Sequence, residues 1–454
     1  MKRYCKMVSF LLQLAAEFLL KGTYAFMKQT KENAIGLKNW IVILVTGLAG
    51  QLCWHVENQW FTTYVYAKIA PNPDIISGMV ALSAITGSFA VVFFGTLSDR
   101  VGRRKPLMAA GYMIWGITVM LFGLTEYARS SLALAAVLTV AADCVMTFFG
   151  SLAYDAGFNP WTSDITNEHN RGMLGAAISV LPVFATIIGS LLFGGIIDAV
   201  DYTAFFFLLG GSMVLVGVFT LLFLKDAPGI APNRDEKGFW HQFFSFFSFK
   251  PLQDKLLRWV LIIFMTYFIG FQMYFSHITN YLIYSRGFST GTSGILLGVG
   301  LLLAAPLTFV AGRFINRGHH FTVMNLTVVS SIIGLLTVGL VKGTAATVAA
   351  IFFIGAGYMV IFQTLMVMLK NLYPPEIRAQ CEGLRSIFYV MIPMCVGTPI
   401  GSAIIKATGV ATVNEYGITG YAAANNLFLI AAAVMLITFI PIAIAKKAAA
   451  EQGK

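Results

Sequence analysis

Two carboxylates interrupt long apolar stretches of the chain. Asp143 lies within the stretch 131–157, and Glu57 lies within the stretch 38–66. Ionisable side chains are rare in such stretches, because it is costly to take a charge out of water. Asp143 precedes Asp155 by about 18 Å of helix, which places it far from either helix end. A carboxyl group there can bind and release a proton as water reaches it from alternate sides, unless Ser, Thr or backbone donors hold it in a purely structural role.

Polar and aromatic residues share the faces of two apolar stretches. Gln51, Trp54 and Asn58 recur at helical spacing in the stretch 38–66, with Glu57 beside them. The stretch 256–284 carries Tyr267, Gln272, Tyr274 and His277. Sugar hydroxyls need convergent hydrogen-bonding groups, and the apolar face of a sugar ring stacks on an aromatic ring. These eight residues are the predicted ligand contacts, and helix packing with interfacial tryptophans is the alternative interpretation.

A loop rich in glycine and charge follows the stretch 75–98. Its key residues are Gly95, Asp99, Arg100, Gly102, Arg103 and Arg104. The glycines allow a tight turn. Arg103 or Arg104 can reach an acid at the end of the fourth apolar stretch, where Asp155 lies. We therefore predict an ionic network of these residues with Asp155, and the alternative is that the basic residues only orient the chain.

The composition excludes a soluble protein. Of 454 residues, 57% are hydrophobic and 11% are charged, whereas soluble domains have about 25% charged residues. Twelve stretches reach the ~20 apolar residues that span a bilayer. They are 38–66, 75–98, 106–125, 131–157, 172–198, 203–225, 256–284, 291–315, 321–341, 345–370, 385–407 and 422–445. An all-α membrane protein with twelve transmembrane helices is predicted.

The basic residues predict the orientation. With both ends in the cytoplasm, 26 of the 31 Lys and Arg residues fall in cytoplasmic segments. The exceptions are Lys68, Arg129, Arg286, Lys342 and Lys406. The net charge of +11 is thereby explained by orientation and anionic lipid, and nucleic-acid binding is not expected.

The chain is internally duplicated. An offset of 217 residues takes Gly95 to Gly312 and Lys38 to Lys255, and it takes Glu57 to Tyr274. The predicted organisation is a cytoplasmic amphipathic segment 1–37, a six-helix bundle 38–225, a central loop 226–255, a second six-helix bundle 256–445 and a tail 446–454. Parallel six-helix halves are typical of transporters with a substrate site between the halves.

Other segments give fewer functional signals. The aromatic run from Trp240 to Phe249 in the central loop predicts a helix on the membrane surface. The pair His319 and His320 has no Cys or acidic residue at metal-ligand spacing, and the five cysteines show no disulfide or metal pattern. No cofactor, metal or catalytic residue is predicted, because no nucleotide-phosphate or nucleophile motif is present.

The loop motif resembles the signature between helices 2 and 3 of the major facilitator superfamily. Gly95, Leu97, Asp99, Arg100, Gly102, Arg103 and Arg104 occupy its key positions. The resemblance implies two six-helix bundles related by a pseudo-two-fold axis, alternating access, and a monomer. It also implies that the loop, with Asp155, closes the cytoplasmic side as a gate.

The branch within the superfamily follows from shorter motifs. The segments from Gln51 to Phe61 and from Tyr154 to Asp164 resemble the glycoside–pentoside–hexuronide and sucrose-type sugar symporters. Sodium-coupled melibiose-type members carry acids within helix 2, whereas here no acid lies between Asp74 and Asp99. Protons are therefore favoured over sodium, with Asp143 and Glu57 as the proton-coupling residues.

The expected function is secondary active transport of a small polar solute, a sugar or glycoside, with a proton. The alternatives are a passive sugar uniporter, a lysolipid transporter, and a membrane protein that senses a solute without moving it. The short loops are typical of a protein of the bacterial inner membrane.

Overall fold

The computed structural model describes residues 35–166, 170–227, 232, 238–245, 249–373 and 378–452. Twelve of its helices are long and apolar enough to cross a membrane. The first six are α1 Leu37–Ile69, α2 Pro73–Val101, α3 Lys105–Gly123, α4 Leu132–Asp164, α5 Met173–Val200 and α6 Tyr202–Phe223. The second six are α7 Lys255–Ser285, α8 Thr290–Asn316, α9 His320–Leu340, α10 Thr344–Leu372, α11 Cys381–Thr408 and α12 Asn425–Glu451. The predicted all-α fold is confirmed.

Each half has a hydrophobic core of its own. One buried cluster runs through α1–α6 and includes Trp60 and Trp115. The other runs through α7–α12 and includes Phe264 and Phe428. Glycines bring helices close within a half: a Cβ atom on Gly111 of α3 would lie 2.8 Å from the Ala153 backbone of α4. Such small residues are typical of helix contacts in membranes.

Several helices depart from regular α geometry. α1 ends in a π-helical turn, Val65–Ile69, and α7 ends in the matching turn Tyr281–Ser285. Their positions differ by nearly the offset found in the sequence, which agrees with the duplication. α4 contains the π-helical turn Tyr154–Phe158, and α11 contains Ile387–Met391. Such turns are frequent at functional sites.

Two strands lie between α11 and α12. β1 Val410–Val413 pairs antiparallel with β2 Thr419–Ala422. We call the side of the molecule with this hairpin the hairpin face, and the opposite side, with the loop from Gly95 to Lys105, the motif face. The amide of Tyr421 donates to the carbonyl of Pro71 over 2.9 Å, so the hairpin of the second half packs on the first.

The connecting segments lie partly outside the described residues. Residues 1–34 of the predicted amphipathic segment 1–37 lie outside the described residues. The central loop contains the helix Phe239–Ser245, which we call the aromatic helix. Phe239 and Phe243 of this helix contact Phe93 and Phe89 of α2, with ring centroids 5.4 and 5.5 Å apart. α12 continues to Glu451, so the predicted tail 446–454 is mostly helical, because its alanines favour the continued helix.

Candidate functional site: a cavity between the bundles and a buried carboxyl pair

A cavity of about 1240 Å³ lies between the two bundles. Its wall comes from α1 and α5 of the first bundle and from α7, α8, α10 and α11 of the second. At the motif face it is lined by Arg313, Asn316 and Lys370, which are exposed. At the other end it stops at Tyr274 and Thr279, which are buried. Among the residues that the structure describes, the cavity therefore opens at the motif face and is closed at the hairpin face.

Contacts between the bundles close the hairpin face. They include Lys68–Glu415 (2.7 Å), Lys406–Asp74 (2.8 Å), Tyr416–Glu126 (2.8 Å) and Asn280–Thr62 (3.1 Å). Lys68 also pairs with Asp201 of its own bundle at 2.8 Å. The Lys68 side chain is only 8% exposed, whereas Asp201 and Glu415 are about half exposed, so one buried amine is shared by a carboxylate from each bundle.

Five of the eight predicted ligand contacts line the cavity. They are Gln51, Trp54, Asn58, Gln272 and Tyr274. Their contact with a substrate stays a prediction. Trp54 is fixed by the ring of Trp115 of α3, whose centroid is 4.9 Å away.

The structure does not bring the other three, Glu57, Tyr267 and His277, to the cavity wall. Glu57 points to α4, where its carboxylate accepts a hydrogen bond of 2.9 Å from Thr147. The Tyr267 hydroxyl is 2.7 Å from Ser331 of α9, inside the second bundle. His277 is fully buried where α7 is interrupted between Phe275 and Ile278. Helical spacing alone did not tell the cavity side of a helix from its bundle side.

Several cavity-lining side chains have buried polar atoms without a hydrogen-bond partner among the described residues. These atoms are Gln59 Nε2, Gln272 Oε1, the Tyr274 hydroxyl and Gln363 Oε1. A buried polar group without a partner costs about 1–3 kcal/mol. Atoms of this kind on a cavity wall are the groups that a polar solute or ordered water would satisfy.

Sequence reasoning missed the polar group that orients Gln59. Ser190 of α5 donates to Gln59 Oε1 over 2.8 Å, and its hydroxyl lies 3.3 Å from His55 Nε2. This directs the Gln59 amide nitrogen to the cavity. A signal was available: Gln51, His55 and Gln59 follow one another at spacings of four, which puts them on one helical face.

The second bundle contributes an aromatic wall. Phe271 stacks on Tyr358 with centroids 4.9 Å apart and planes 16° apart. Phe275 stacks on the same Phe271 at 4.5 Å, and Tyr389 meets Phe268 edge-on at 4.6 Å. All five rings line the cavity. The wall suits the flat or apolar face of a ring-shaped ligand.

A pair of carboxyl groups lies inside the first bundle, away from the cavity wall. Asp143 is 1% exposed, and one of its oxygens, Oδ1, has no hydrogen-bond partner among the described residues. The same holds for Oε2 of Glu57. Ser83 of α2 is a hydrogen-bond partner of Asp143. Asp143 and Thr147 are one turn apart on α4, so the Glu57–Thr147 bond brings Glu57 to the Asp143 side of that helix.

The carboxyl pair has no ion-pair partner among the described residues, because the ion pairs that lysine and arginine form in this part of the chain involve other acids. Two buried carboxylates without a cation would repel each other and lose their hydration. One added proton removes the repulsion and one of the two buried charges.

Arg104 organises the loop at the motif face. Its guanidinium contacts Asp99 at 2.9 Å, Asp164 at 3.0 Å and Ser98 at 2.6 Å. Burial disfavours the charge on Arg104, but the hydrogen bonds to Asp164 and Asp99 outweigh this effect and raise the pKa of the guanidinium. Gly102 ends α2 with a φ of 68°, a conformation that favours glycine. The loop is therefore a folded unit of the first bundle.

The acid that meets this arginine is Asp164, in place of the expected Asp155. α4 continues beyond Asp155 through its π-helical turn and ends only at Asp164. Asp155 is thus about 13 Å deeper along the helix, where Asn159 donates to it over 3.4 Å. Arg103, the other arginine considered, is exposed.

Comparison with known proteins agrees with this architecture. The family model of the Major Facilitator Superfamily matches residues 40–398. The chain belongs to the major facilitator superfamily. A crystal structure titled nucleoside transporter NupG has a TM-score of 0.68 at 13% identity, covering 90% of this chain and 99% of that chain. A crystal structure of a point mutant of the same transporter gives 0.70 at 14% identity, covering 89% and 99%. No curated protein matches significantly in sequence.

Membership of the major facilitator superfamily makes the chain a multi-pass membrane transporter and not an enzyme. The likeness to the nucleoside transporter structures is a likeness of fold, since few residues are identical. In a major facilitator, the cavity between the bundles is where a small-molecule substrate binds, because repeat interfaces carry the site in such transporters.

Proposed function

We propose that this major facilitator moves a small polar solute, a sugar or glycoside, together with a proton. The observation that carries the proposal is the set of buried, unpartnered polar atoms on the wall of the cavity. They come from both bundles: Gln59 belongs to the first, and Gln272, Tyr274 and Gln363 belong to the second. A solute that satisfies both sets holds the bundles together.

The rest of the wall narrows the class of solute. Phe271, Tyr358 and Trp54 provide ring faces beside the amides. A ligand with hydroxyl groups on one side and a flat or apolar face on the other meets both kinds of wall. Sugars and glycosides have this form, and nucleosides are glycosides in which the second ring is a base.

The carboxyl pair supports coupling to a proton. Glu57 lies on α1, which also supplies Trp54 and Asn58 to the cavity wall, so one helix connects the pair with the solute site. Binding of the solute changes the position of α1, and thereby the access of water to Asp143 and Glu57. The solute and the proton are then taken up and released together.

We further propose that the motif face is cytoplasmic and that the loop with Asp99, Arg100 and Arg104 is the cytoplasmic gate. The distribution of Lys and Arg supports this orientation. The cavity then opens to the cytoplasm in the present state. In the alternate state, the hairpin face opens and the motif face closes.

A lysolipid is the second candidate, on one observation. Phe309 of α8 lines the cavity and is 67% exposed, and Phe184 of α5 lines the cavity as well. An acyl chain could enter between these two helices. A solute of that kind needs the aromatic wall but not the amides of Gln59 and Gln363.

A thermal-shift screen of the purified full-length protein separates the candidates. The panel contains monosaccharides, aryl glycosides, nucleosides and lysolipids. We expect a glycoside to raise the unfolding temperature, and Gln363→Leu to abolish that rise. Thr308→Val, at a cavity position without an unpartnered atom, is the matched control. Stabilisation by lysolipids alone, unchanged in Gln363→Leu, would contradict the proposal.

A further inference from the structure

A small pocket on the hairpin face combines two cations and no acid. It has a volume of about 270 Å³ and is lined by Ser285, Arg286, Lys342, Val410, Ala424, Asn425 and Asn426. It lies beside the second bundle alone, far from the cavity between the bundles. That volume equals roughly nine water molecules of about 30 Å³ each, which is more than a phosphate group needs.

The charges in this pocket differ from the other basic residues of the hairpin face. Lys68 and Lys406 form ion pairs with carboxylates. Arg129 stacks over the ring of Tyr416 at 4.1 Å. Among the described residues of this face, Arg286 and Lys342 have no carboxylate partner either, although Arg286 lies over the Tyr281 ring of its own helix at 5.2 Å. Unlike Arg129, these two cations share one pocket.

Arg286 is held in place by the protein. Its Nε donates to the Tyr281 hydroxyl over 2.6 Å, and its Nη2 donates to the carbonyls of Val338 and Val341 over 2.6 and 3.0 Å. These neutral acceptors, with the Tyr281 ring 5.2 Å from the guanidinium carbon, fix the guanidinium plane, and no carboxylate among the described residues pairs with its charge. Nη1 forms no hydrogen bond with the described residues, so it can donate to a ligand.

The wall opposite Arg286 is also suited to an anion. α12 begins at Asn425, and its cap residue Ala424 gives no side-chain hydrogen bond. The first backbone N–H groups of a helix have no partner within it. A fixed guanidinium, the exposed ammonium of Lys342 and the N–H groups of Asn425 and Asn426 at the helix start together match the oxygens of a phosphate.

We propose that this pocket binds the phosphate group of an anionic phospholipid. The rim favours a lipid over a soluble anion: Leu340 is 68% exposed, Val341 48% and Val410 47%. These side chains would contact the acyl chains while Arg286 and Lys342 hold the headgroup. The lipid then bridges α7, α9 and the start of α12 in the leaflet at the hairpin face.

Hydrogen–deuterium exchange of the full-length protein tests this site directly. Phosphatidylglycerol is titrated into the protein in neutral detergent, and the exchange of amides in 285–288 and 340–343 is followed. We expect protection there, with a half-maximal lipid concentration that rises about fivefold in Lys342→Gln, as the loss of one basic contact predicts. Lys406→Gln, on the same face but paired with an acid, should titrate like the wild type.

Two further arms complete the test. Arg286→Gln should weaken the protection more than Lys342→Gln, and Lys342, being exposed, keeps the test valid if Arg286→Gln does not fold. Protection by inorganic phosphate without lipid supports the anion site and assigns it to a soluble phosphate. Equal titration of Lys342→Gln and the wild type, or no protection by either phosphate compound, would overturn the proposal.

Discussion

The hairpin face and the motif face use ionic contacts in opposite ways. At the hairpin face, Lys68 and Lys406 pair with acids of the other bundle. At the motif face, Arg104 pairs with Asp99 and Asp164 of its own bundle. Ion pairs between bundles hold one face shut, whereas ion pairs within a bundle only shape a loop. The difference agrees with a cavity that is closed at the hairpin face. Substitutions in the ion pairs of the hairpin face should therefore change the opening of that face most.

Lys68→Gln should have the largest effect. It leaves Asp201 and Glu415 without their shared cation, a loss of about 2 kcal/mol for one deeply and two half-buried groups. We expect the equilibrium to shift about thirtyfold towards opening of the hairpin face. Spin-label distances between the ends of α1 and α7 measure this shift. Lys406→Gln is the control, because both members of its ion pair are about half exposed. It should shift the equilibrium less than about threefold. Equal shifts in the two variants would contradict the central role of Lys68.

Arg104→Gln should destabilise the first bundle without opening the hairpin face. Loss of the buried guanidinium leaves Asp99 and Asp164 unpaired, which should lower the free energy of unfolding by about 1.5 kcal/mol. The unfolding temperature should fall while the spin-label distances at the hairpin face stay unchanged. Arg103→Gln, at an exposed position, should alter stability by less than about 0.5 kcal/mol. A change of distances at the hairpin face would show that the two faces are coupled through this loop.

Asp164→Asn and Asp155→Asn distinguish the two acids of α4. Asp164→Asn removes a charged partner of Arg104 and should cost about 1 kcal/mol of stability. Asp155→Asn should leave the loop intact. Solvent exchange of the amides around 100–104 reports on this loop. Faster amide exchange in Asp155→Asn than in Asp164→Asn would show that Asp155, and not Asp164, stabilises the loop in this state.

Tyr416→Phe should have the smallest effect, a loss of about 0.5–1 kcal/mol from one hydrogen bond to Glu126 at the hairpin face. Burial and that hydrogen bond raise the pKa of Tyr416 above its ordinary value. The contribution of the neutral phenol is therefore complete below about pH 10 and disappears as the pH rises through the higher folded-state pKa. The wild type, but not Tyr416→Phe, should lose closure of the hairpin face over that range; the same loss in both proteins would exclude Tyr416 as its cause.

The fold was predictable because it depends on simple quantities. Twelve apolar stretches of sufficient length, separated by short polar loops, leave few other arrangements. Helix starts were readable too, since Asn72 and Asp254 accept from backbone amides at the starts of α2 and α7. The hairpin was not predicted, because β1 and β2 have four residues each and are held partly by Pro71 of the other half.

The candidate site was predictable in kind but not in detail. The rarity of acids in apolar stretches was enough to select Asp143 and Glu57. The sequence does not show which side of each helix faces the cavity. Tyr267 was therefore predicted to contact the ligand, although its hydroxyl bonds to Ser331 inside the second bundle. The partner of Arg104 depended on the length of α4 beyond a π-helical turn, which hydropathy does not show.

Proton movement driven by a solute tests the proposed function most directly. The full-length protein is reconstituted in liposomes that contain a pH-sensitive dye, and the glycoside that stabilises it most is added outside. The account predicts that the interior of wild-type liposomes acidifies as the glycoside enters, and that Asp143→Asn binds the glycoside without acidification. Glycoside entry without a pH change, or the same acidification in Asp143→Asn, would contradict proton coupling through the buried carboxyl pair.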